Sequence, residues 1–81
     1  MKREEIESRS KAVIAKILKL DVGQITSDFS QENMSSWDSV RHMNVVLGLE
    51  NEFDIEFKDS ELPTLVSLPI IVDAIEREFP S

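Results

Sequence analysis

The chain has 81 residues, 41% of them hydrophobic, and a formal net charge of −7, which suffices for one compact domain and leaves no room for a second. Cysteine is absent, so we expect no disulfide and no thiolate metal site, and any thiol chemistry must come from an attached group. The single histidine, His42, is too few for a histidine-based zinc or catalytic cluster within one chain. With no run of about 18 apolar residues and no secretory leader, a soluble cytoplasmic protein is expected.

Charge is distributed unevenly along the chain. Residues 1–20 contain six Lys or Arg and three Glu, a local charge of +3, whereas residues 21–81 contain three Lys or Arg and thirteen Asp or Glu, a local charge of −10. An acidic body disfavours nucleic acid, including a helix-turn-helix role, and anionic membranes, and it favours partner proteins with basic patches. A plain contribution to solubility is the alternative interpretation.

The first predicted helix runs from Arg3 to Leu20, because its apolar residues recur at the spacings of an amphipathic helix. Lys16 and Lys19 suit the negative end of its dipole, and residues 21–23 supply the stop. The apolar residues expected in the core are Ile6, Val13, Ile14, Ile17 and Leu18.

Residues 21–38 are rich in polar residues and predict a long loop between the first and second helices. The segment from Asp21 to Glu32 has the length of a calcium-binding loop, but Gly23, Ile25 and Thr26 occupy positions that need oxygen ligands or a glycine. We therefore predict no metal site there. The apolar residues expected to anchor the loop are Val22, Ile25, Phe29 and Met34.

The second predicted helix runs from Ser39 to Phe53 behind an N-cap at Asp38. On a helical wheel its apolar residues form two clusters, of which the first, expected in the core, contains Val45, Val46, Leu49 and Phe53. The second cluster contains Val40, Met43 and Leu47, flanked by Asn44, Glu50 and Asn51. An apolar strip with a polar rim is typical of an exposed docking surface. Burial of both clusters by a bundle that wraps the helix is the alternative.

After the second helix, Ile55 and Phe57 alternate with polar residues, and we predict an extended connection whose two apolar residues plug the bundle. A short helix is predicted from Asp59 to Leu62, capped by Asp59 and limited by Pro63.

The final helix is predicted to extend to Phe79, with Ser67 as its N-cap and Pro69 in its first turn. Its expected buried residues are Leu68, Ile71, Val72, Ile75 and Phe79. The predicted fold class is therefore all-α: a single domain over residues 1–81, built as a small four-helix bundle of three longer helices and one short helix.

The functional signal lies at the start of the second helix, in the segment Trp37-Asp38-Ser39-Val40-Arg41-His42-Met43. Asp38-Ser39-Val40, followed by an apolar helix that ends in acidic residues and Phe53, resembles the Asp-Ser-Leu motif of acyl carrier proteins, and the similarity extends over nearly the full chain. Val40 replaces the usual leucine, and Trp37 stands where many fatty-acid carriers have a small residue. The Trp-Asp-Ser form is more similar to freestanding carriers of specialised pathways.

This resemblance implies a carrier and not an enzyme. A phosphopantetheinyl transferase would attach 4′-phosphopantetheine from coenzyme A to Ser39, and the thiol of this arm would hold fatty-acid, polyketide or related acyl intermediates as thioesters. The carrier, a monomer, would present them to acyl-loading and acyl-processing enzymes with basic docking patches. Aminoacyl or peptidyl cargo and an unmodified acidic helical adaptor are the alternatives.

The residues themselves favour Ser39 as the attachment point, because the unpaired N–H groups and the positive dipole end of a first helical turn stabilise an anion. A serine that only helps to cap the helix is the alternative, and Ser35, Ser36 and Ser60 are weaker candidates. The predicted docking residues are Val40, Met43, Leu47, Glu50 and Glu52; the two acids would pair with Lys or Arg of a partner, or are simply solvated. His42 falls on the core side of the wheel, which favours packing near the loop over catalysis.

Overall fold

The structure is a computed structural model that describes residues 1–33 and 37–79. Within these ranges it contains three α-helices, α1 (Arg3–Leu18), α2 (Ser39–Phe53) and α3 (Leu68–Glu76), and α1 packs against both of the others. Among them there is no β-strand, only one isolated antiparallel bridge between Ser30 and Ser67. The predicted all-helical class is confirmed. None of the described helices has the length and apolarity to cross a membrane.

Helix α1 ends two residues before the predicted end at Leu20. Lys19 adopts the left-handed conformation (φ 58°, ψ 48°), and its N–H donates to the carbonyl of Ala15. The N–H of Leu20 donates to the same carbonyl at 2.8 Å, so the chain turns away from the helix axis. A 3₁₀ helix at Val22–Gln24 follows this turn.

One hydrophobic core joins the three helices and the loop. Helix α2 matches its predicted bounds, and all four residues expected in its core are buried. Val13 and Ile17 of α1 are half-buried at the edge, where they face Gly48; a Cβ at Gly48 would lie 2.9 Å from Cγ1 of Val13, so the missing side chain lets α1 and α2 approach closely. The buried core residues are Ile6, Ile14, Ala15, Leu18, Ile25, Phe29, Trp37, Val45, Val46, Leu49, Phe53, Phe57, Leu65, Leu68, Ile71, Val72, Ala74 and Ile75.

The loop after α1 is only partly as predicted. Ile25 and Phe29 are buried, but Val22 is 52% exposed, so its predicted anchoring role is wrong. The reason is the tight turn that begins there: the N–H of Asp21 donates to Oε1 of Gln24 at 3.0 Å, and this 3₁₀ turn leaves Val22 facing solvent. Met34, the fourth predicted anchor, lies outside the described residues.

The predicted short α-helix from Asp59 to Leu62 is not confirmed. Asp59 and Ser60 form a turn, and a 3₁₀ helix follows at Leu62–Thr64. Pro63 explains the difference, since it has no N–H for a helical hydrogen bond and disfavours the α conformation in the residue before it. In the part of the chain that the structure describes, the four-helix count is thus replaced by three α-helices and short 3₁₀ segments.

Helix α3 begins as predicted but ends three residues early. The Oγ of Ser67 accepts from the N–H of Ile70 at 3.4 Å, and Pro69 lies in the first turn. Beyond Glu76 the hydrogen bonds tighten to an i+3 pattern, and the N–H of Phe79 donates to the carbonyl of Glu76 at 3.1 Å. Phe79 is therefore half-buried, where its ring contacts that of Phe53 at a centroid distance of 6.3 Å.

Ion pairs join the basic first helix to acidic residues of the other two helices. Nη1 of Arg3 lies 2.7 Å from Oδ1 of Asp73 and 3.1 Å from Oε1 of Glu76, which joins α1 to α3. The hydrogen bond to Asp73 raises the pKa of the Arg3 guanidinium. Nε of Arg9 lies 2.8 Å from Oε2 of Glu52, which joins α1 to α2. The basic first helix thus directs its two arginines at the acidic remainder of the chain.

We expect Phe53→Ala to lower the free energy of unfolding by about 3–5 kcal/mol, because it leaves a cavity in the core. Phe53 is 4% exposed, and the guanidinium of Arg9 lies over its ring at 4.7 Å. Urea denaturation followed by circular dichroism measures the change. Phe53→Leu, which keeps most of the volume, should cost about 1 kcal/mol. A loss below 1 kcal/mol for Phe53→Ala would contradict the assignment of this ring to the core.

Ser10→Ala should raise the free energy of unfolding by about 1 kcal/mol, since it removes a buried hydroxyl and favours the helix. Ser10 is fully buried in α1, and its Oγ has no hydrogen-bond partner among the described residues. Ser8→Ala is the matched control, because Ser8 is an exposed serine of the same helix. If both substitutions stabilise the protein equally, the Ser10 hydroxyl carries no burial penalty.

Candidate functional site

The N-terminus of α2 is capped by Asp38. This residue has extended backbone angles (φ −90°, ψ −175°), and its Oδ1 accepts from the N–H of Arg41 at 2.9 Å. Its carbonyl accepts the first helical hydrogen bond, from the N–H of His42 at 2.8 Å. The predicted N-cap is confirmed, and the helix does not depend on the Ser39 hydroxyl for its cap.

Ser39 is the first residue of α2 and is exposed. The first turn contains no acidic residue, and the first N–H groups of a helix have no acceptor within it. An anion bound to Oγ of Ser39 would therefore lie at the positive end of the helix dipole, beside first-turn amides of which that of Arg41 is already engaged by Asp38. This set of donors fits a phosphodiester.

The chain before Ser39 is tied to the start of α3. Nε2 of Gln31 donates to the carbonyl of Trp37 at 2.8 Å, and the N–H of Gln31 donates to the carbonyl of Val66 at 2.8 Å. The N–H of Leu68 donates to the carbonyl of Phe29, also at 2.8 Å. These bonds hold Phe29 and Gln31 beside the start of α3, and Gln31 in turn holds Trp37.

Trp37 and His42 form a contact that sequence reasoning missed. Trp37 is 2% exposed, and its Nε1–H donates to Nδ1 of His42 at 3.1 Å. Nε2 of His42 lies 2.8 Å from the carbonyl oxygen of Leu62. The indole also stacks on Phe29 and on His42, with centroid distances of 5.8 Å and 6.0 Å. The half-buried position of His42 agrees with the helical wheel. The contact with Trp37 could have been predicted only from the spacing of the two residues, which lie five apart on either side of the helix start.

An exposed apolar strip runs along α2. Val40 is 72% exposed, Met43 44% and Leu47 57%, and these three residues are named the α2 strip. The neighbouring Asn44 and Asn51 are also exposed. The alternative, in which the bundle buries both apolar clusters of the helix, is wrong.

Glu50 and Glu52, predicted to dock partners, both make contacts within the protein. The half-buried Glu50 accepts from the N–H of Phe57 at 2.8 Å, which fixes the connection after α2. Arg9 donates from Nη2 to the carbonyl of Glu52 at 2.7 Å, in addition to its ion pair with that carboxylate. Neither contact could be predicted from the helical pattern of α2, because each partner lies outside that helix.

The other candidate serines differ in their surroundings. Ser60 is exposed in a turn that leads into the 3₁₀ helix with Pro63, so no long helix follows it. Ser35 and Ser36 lie outside the described residues. Ser39 is therefore the described candidate that combines exposure with the start of a long helix.

An open groove of about 590 Å³ lies between the loop and the start of α3. Ile70, which is 40% exposed, contributes apolar surface to it. Gln31 lines the groove and also holds the carbonyl of Trp37, so the groove adjoins the segment that leads to Ser39. The lining residues are Ser30, Gln31, Glu32, Val66, Ser67 and Ile70.

Comparison with known proteins places these features in a family. No protein-family model matches the chain. A curated relative, the acyl carrier protein of Thermotoga maritima, is 30% identical over 77 residues, which cover 95% of this chain and 95% of the relative. The all-helical fold agrees with that similarity. The chain therefore belongs to the acyl carrier protein family.

Proposed function

We propose that this protein carries acyl intermediates as thioesters on a 4′-phosphopantetheine arm attached to Ser39, and that it presents them to partner enzymes without catalysing a reaction itself. The observation that supports this most directly is the exposed Ser39 in the first turn of α2, behind a cap that Asp38 provides alone. Membership of the acyl carrier protein family supports the carrier role independently.

The chain's own residues would have distinct tasks in this function. The Oγ of Ser39 would lose its proton and attack the pantetheine-bearing phosphate of coenzyme A, the pyrophosphate bond would break, and adenosine 3′,5′-bisphosphate would leave. The N-terminal end of α2 would stabilise the charge of the phosphodiester that is formed. Asp38 would keep the helix start in place through its bond to the N–H of Arg41. When bound, the arm supplies the thiol that the polypeptide, which has no cysteine, lacks.

Partner enzymes, among them a phosphopantetheinyl transferase, would dock on the α2 strip. Val40 lies beside Ser39 in the sequence, so a partner that covers the strip would have its own reactive groups close to the attachment point. At the rim, the partly exposed carboxylate of Glu52 would pair with a basic group of the partner in competition with Arg9, and exposed ion pairs of this kind contribute little to stability. Glu50 is half-buried and has one oxygen engaged by Phe57, so its contribution would be smaller.

The cargo would be an acyl group of fatty-acid, polyketide or related biosynthesis, with aminoacyl or peptidyl cargo as the alternative. The groove beside Gln31 offers an apolar wall at Ile70, against which a short acyl chain could be partly shielded from water.

The first test of this function is covalent loading. Incubated with coenzyme A and a broad-specificity phosphopantetheinyl transferase, the purified chain should gain the mass of one phosphopantetheinyl group, and Ser39→Ala should not. Intact-protein mass spectrometry measures the gain, and peptide fragmentation locates it.

Ser60→Ala is the matched control, since Ser60 also follows an aspartate and is exposed. This variant should load like the parent protein. If the parent chain keeps its unmodified mass under conditions that load another carrier, the protein is an unmodified adaptor and the proposal is wrong.

Docking on the α2 strip is tested by placing a negative charge on it. Leu47→Glu and Met43→Glu should leave the circular dichroism spectrum and the melting temperature nearly unchanged, because both side chains are exposed. They should lower kcat/KM of loading about tenfold, mainly through KM, because a charge then opposes an apolar contact.

Val22→Glu is the control for these two variants, since Val22 is an exposed apolar residue outside α2. It should load normally. Unfolding of Leu47→Glu would contradict the exposure of the strip, and loading of both variants at the parent rate would show that the strip does not contact the transferase.

A further inference from the structure

Three parts of the chain meet at one side chain close to Ser39. His42 lies three residues after Ser39 in α2, and its ring lies between the indole of Trp37 and the carbonyl of Leu62. Trp37 belongs to the loop before α2, and Leu62 begins the 3₁₀ helix after it. We name this contact the His42 link. It joins the segments on both sides of α2 to the first turns of the helix.

The partners of the His42 link determine where its proton lies. An indole N–H can only donate, so Nδ1 of His42 must be the acceptor at 3.1 Å. A carbonyl oxygen can only accept, so Nε2 must carry the proton that it donates to Leu62 at 2.8 Å. The imidazole in this structure is therefore neutral, in a single tautomer, with both nitrogens engaged.

Trp37 is also held in place by contacts that do not involve His42. Its ring is stacked on Phe29, and its carbonyl accepts from Gln31 at 2.8 Å, so the loop side of the contact is fixed independently. The His42 link adds a side-chain contact between Trp37 and α2 itself.

We propose that His42 is a positioning residue for the modification of Ser39: through Trp37 and Leu62 it holds the first turn of α2 at a fixed place, so that the hydroxyl reaches the reacting phosphate of coenzyme A in the transferase complex. This inference rests on the proposed attachment of phosphopantetheine at Ser39. His42 itself does not touch the reacting atoms, and its two nitrogens are already occupied.

A residue that only stabilises the fold predicts a different result from one that positions Ser39. Loss of stability changes the fraction of folded carrier and leaves the rate of each folded molecule unchanged. Loss of position changes the rate of the folded molecule at saturation, since the docking surface is still intact. The split between kcat and KM of loading therefore separates the two roles.

The test measures loading by a phosphopantetheinyl transferase with saturating coenzyme A, at a temperature where every variant is fully folded. We expect His42→Leu to lower kcat for the carrier about tenfold with KM changed less than about twofold, because a small misplacement of a reacting group is costly. His42→Gln, whose amide offers both an acceptor and a donor, should restore most of the rate.

Trp37→Phe tests the His42 link from its other partner. It removes the indole N–H and keeps an aromatic ring in the core, so it tests the link even if His42→Leu does not fold. We expect a smaller loss of kcat, and a double variant with His42→Leu should be no slower than His42→Leu alone. Phe53→Leu, which weakens the core far along the helix, is the stability control and should load at the parent kcat.

The tautomer gives a readout that is independent of loading. The sequence has one histidine and one tryptophan, so the ¹⁵N resonances of the imidazole and the indole N–H are assignable without ambiguity. At pH 8, Nδ1 should resonate as an unprotonated nitrogen and Nε2 as a protonated one, and Trp37→Phe should shift the Nδ1 resonance, because Nδ1 then loses its donor while Nε2 still donates to Leu62.

The outcomes separate this inference from the proposed function. If the parent chain does not load at all, the attachment at Ser39 is wrong. If the parent loads and both His42→Leu and Trp37→Phe load at the parent kcat while folded, the positioning role is wrong and the carrier function stands. A protonated Nδ1 at pH 8 also contradicts the link.

Discussion

The arrangement of the molecule depends on how the start of α2 is fixed. Ser39 is exposed, while the two residues before it are held in place, since Trp37 is buried and Asp38 caps the helix. A tryptophan two residues before the exposed serine places a large apolar ring in the core, and burial of such a ring is among the strongest local contributions to stability. The exposed position of Ser39 is thus a consequence of a buried neighbour.

The division of charge has a structural role besides any role in recognition. Arg3 and Arg9 lie on one helix and reach acids on the other two, so the positive first helix acts as a common partner for α2 and α3. Surface pairs of this kind contribute modestly to stability, but they favour one arrangement of the three helices over others. Composition alone suggested attraction to basic partners, and part of that acidic charge is in fact balanced within the chain.

Local sequence predicted most of what depends on local interactions. The bounds of α2, the caps at Asp38 and Ser67, and the exposed and buried faces of α2 follow from helical periodicity and capping preferences, which act over a few residues. The predictions that were wrong concern residues whose conformation or exposure is determined by a turn or by a contact with a distant part of the chain. In place of the predicted short helix from Asp59 to Leu62 there is a turn followed by the 3₁₀ helix at Leu62–Thr64, and Val22 faces solvent because the chain turns tightly there.

The candidate site was predictable to a similar degree. The place of Ser39 is visible from its neighbours, but the engagement of Glu52 by Arg9, 43 residues away, is not. The link from His42 to Leu62 spans 20 residues and joins a side chain to a carbonyl that any residue could supply. Such contacts become apparent only when the fold brings the segments together.

The contact of Arg9 at the far end of α2 has a mechanical consequence. Its guanidinium bonds both the carboxylate and the carbonyl of Glu52 and covers the ring of Phe53, so this end of the helix is clamped as the other end is by Trp37. Contacts at both ends restrict the motion of the helix, so little conformational entropy would be lost when another protein binds to it. If partner enzymes dock on α2 as proposed, the enzymes and not this helix would have to adapt their shape on binding.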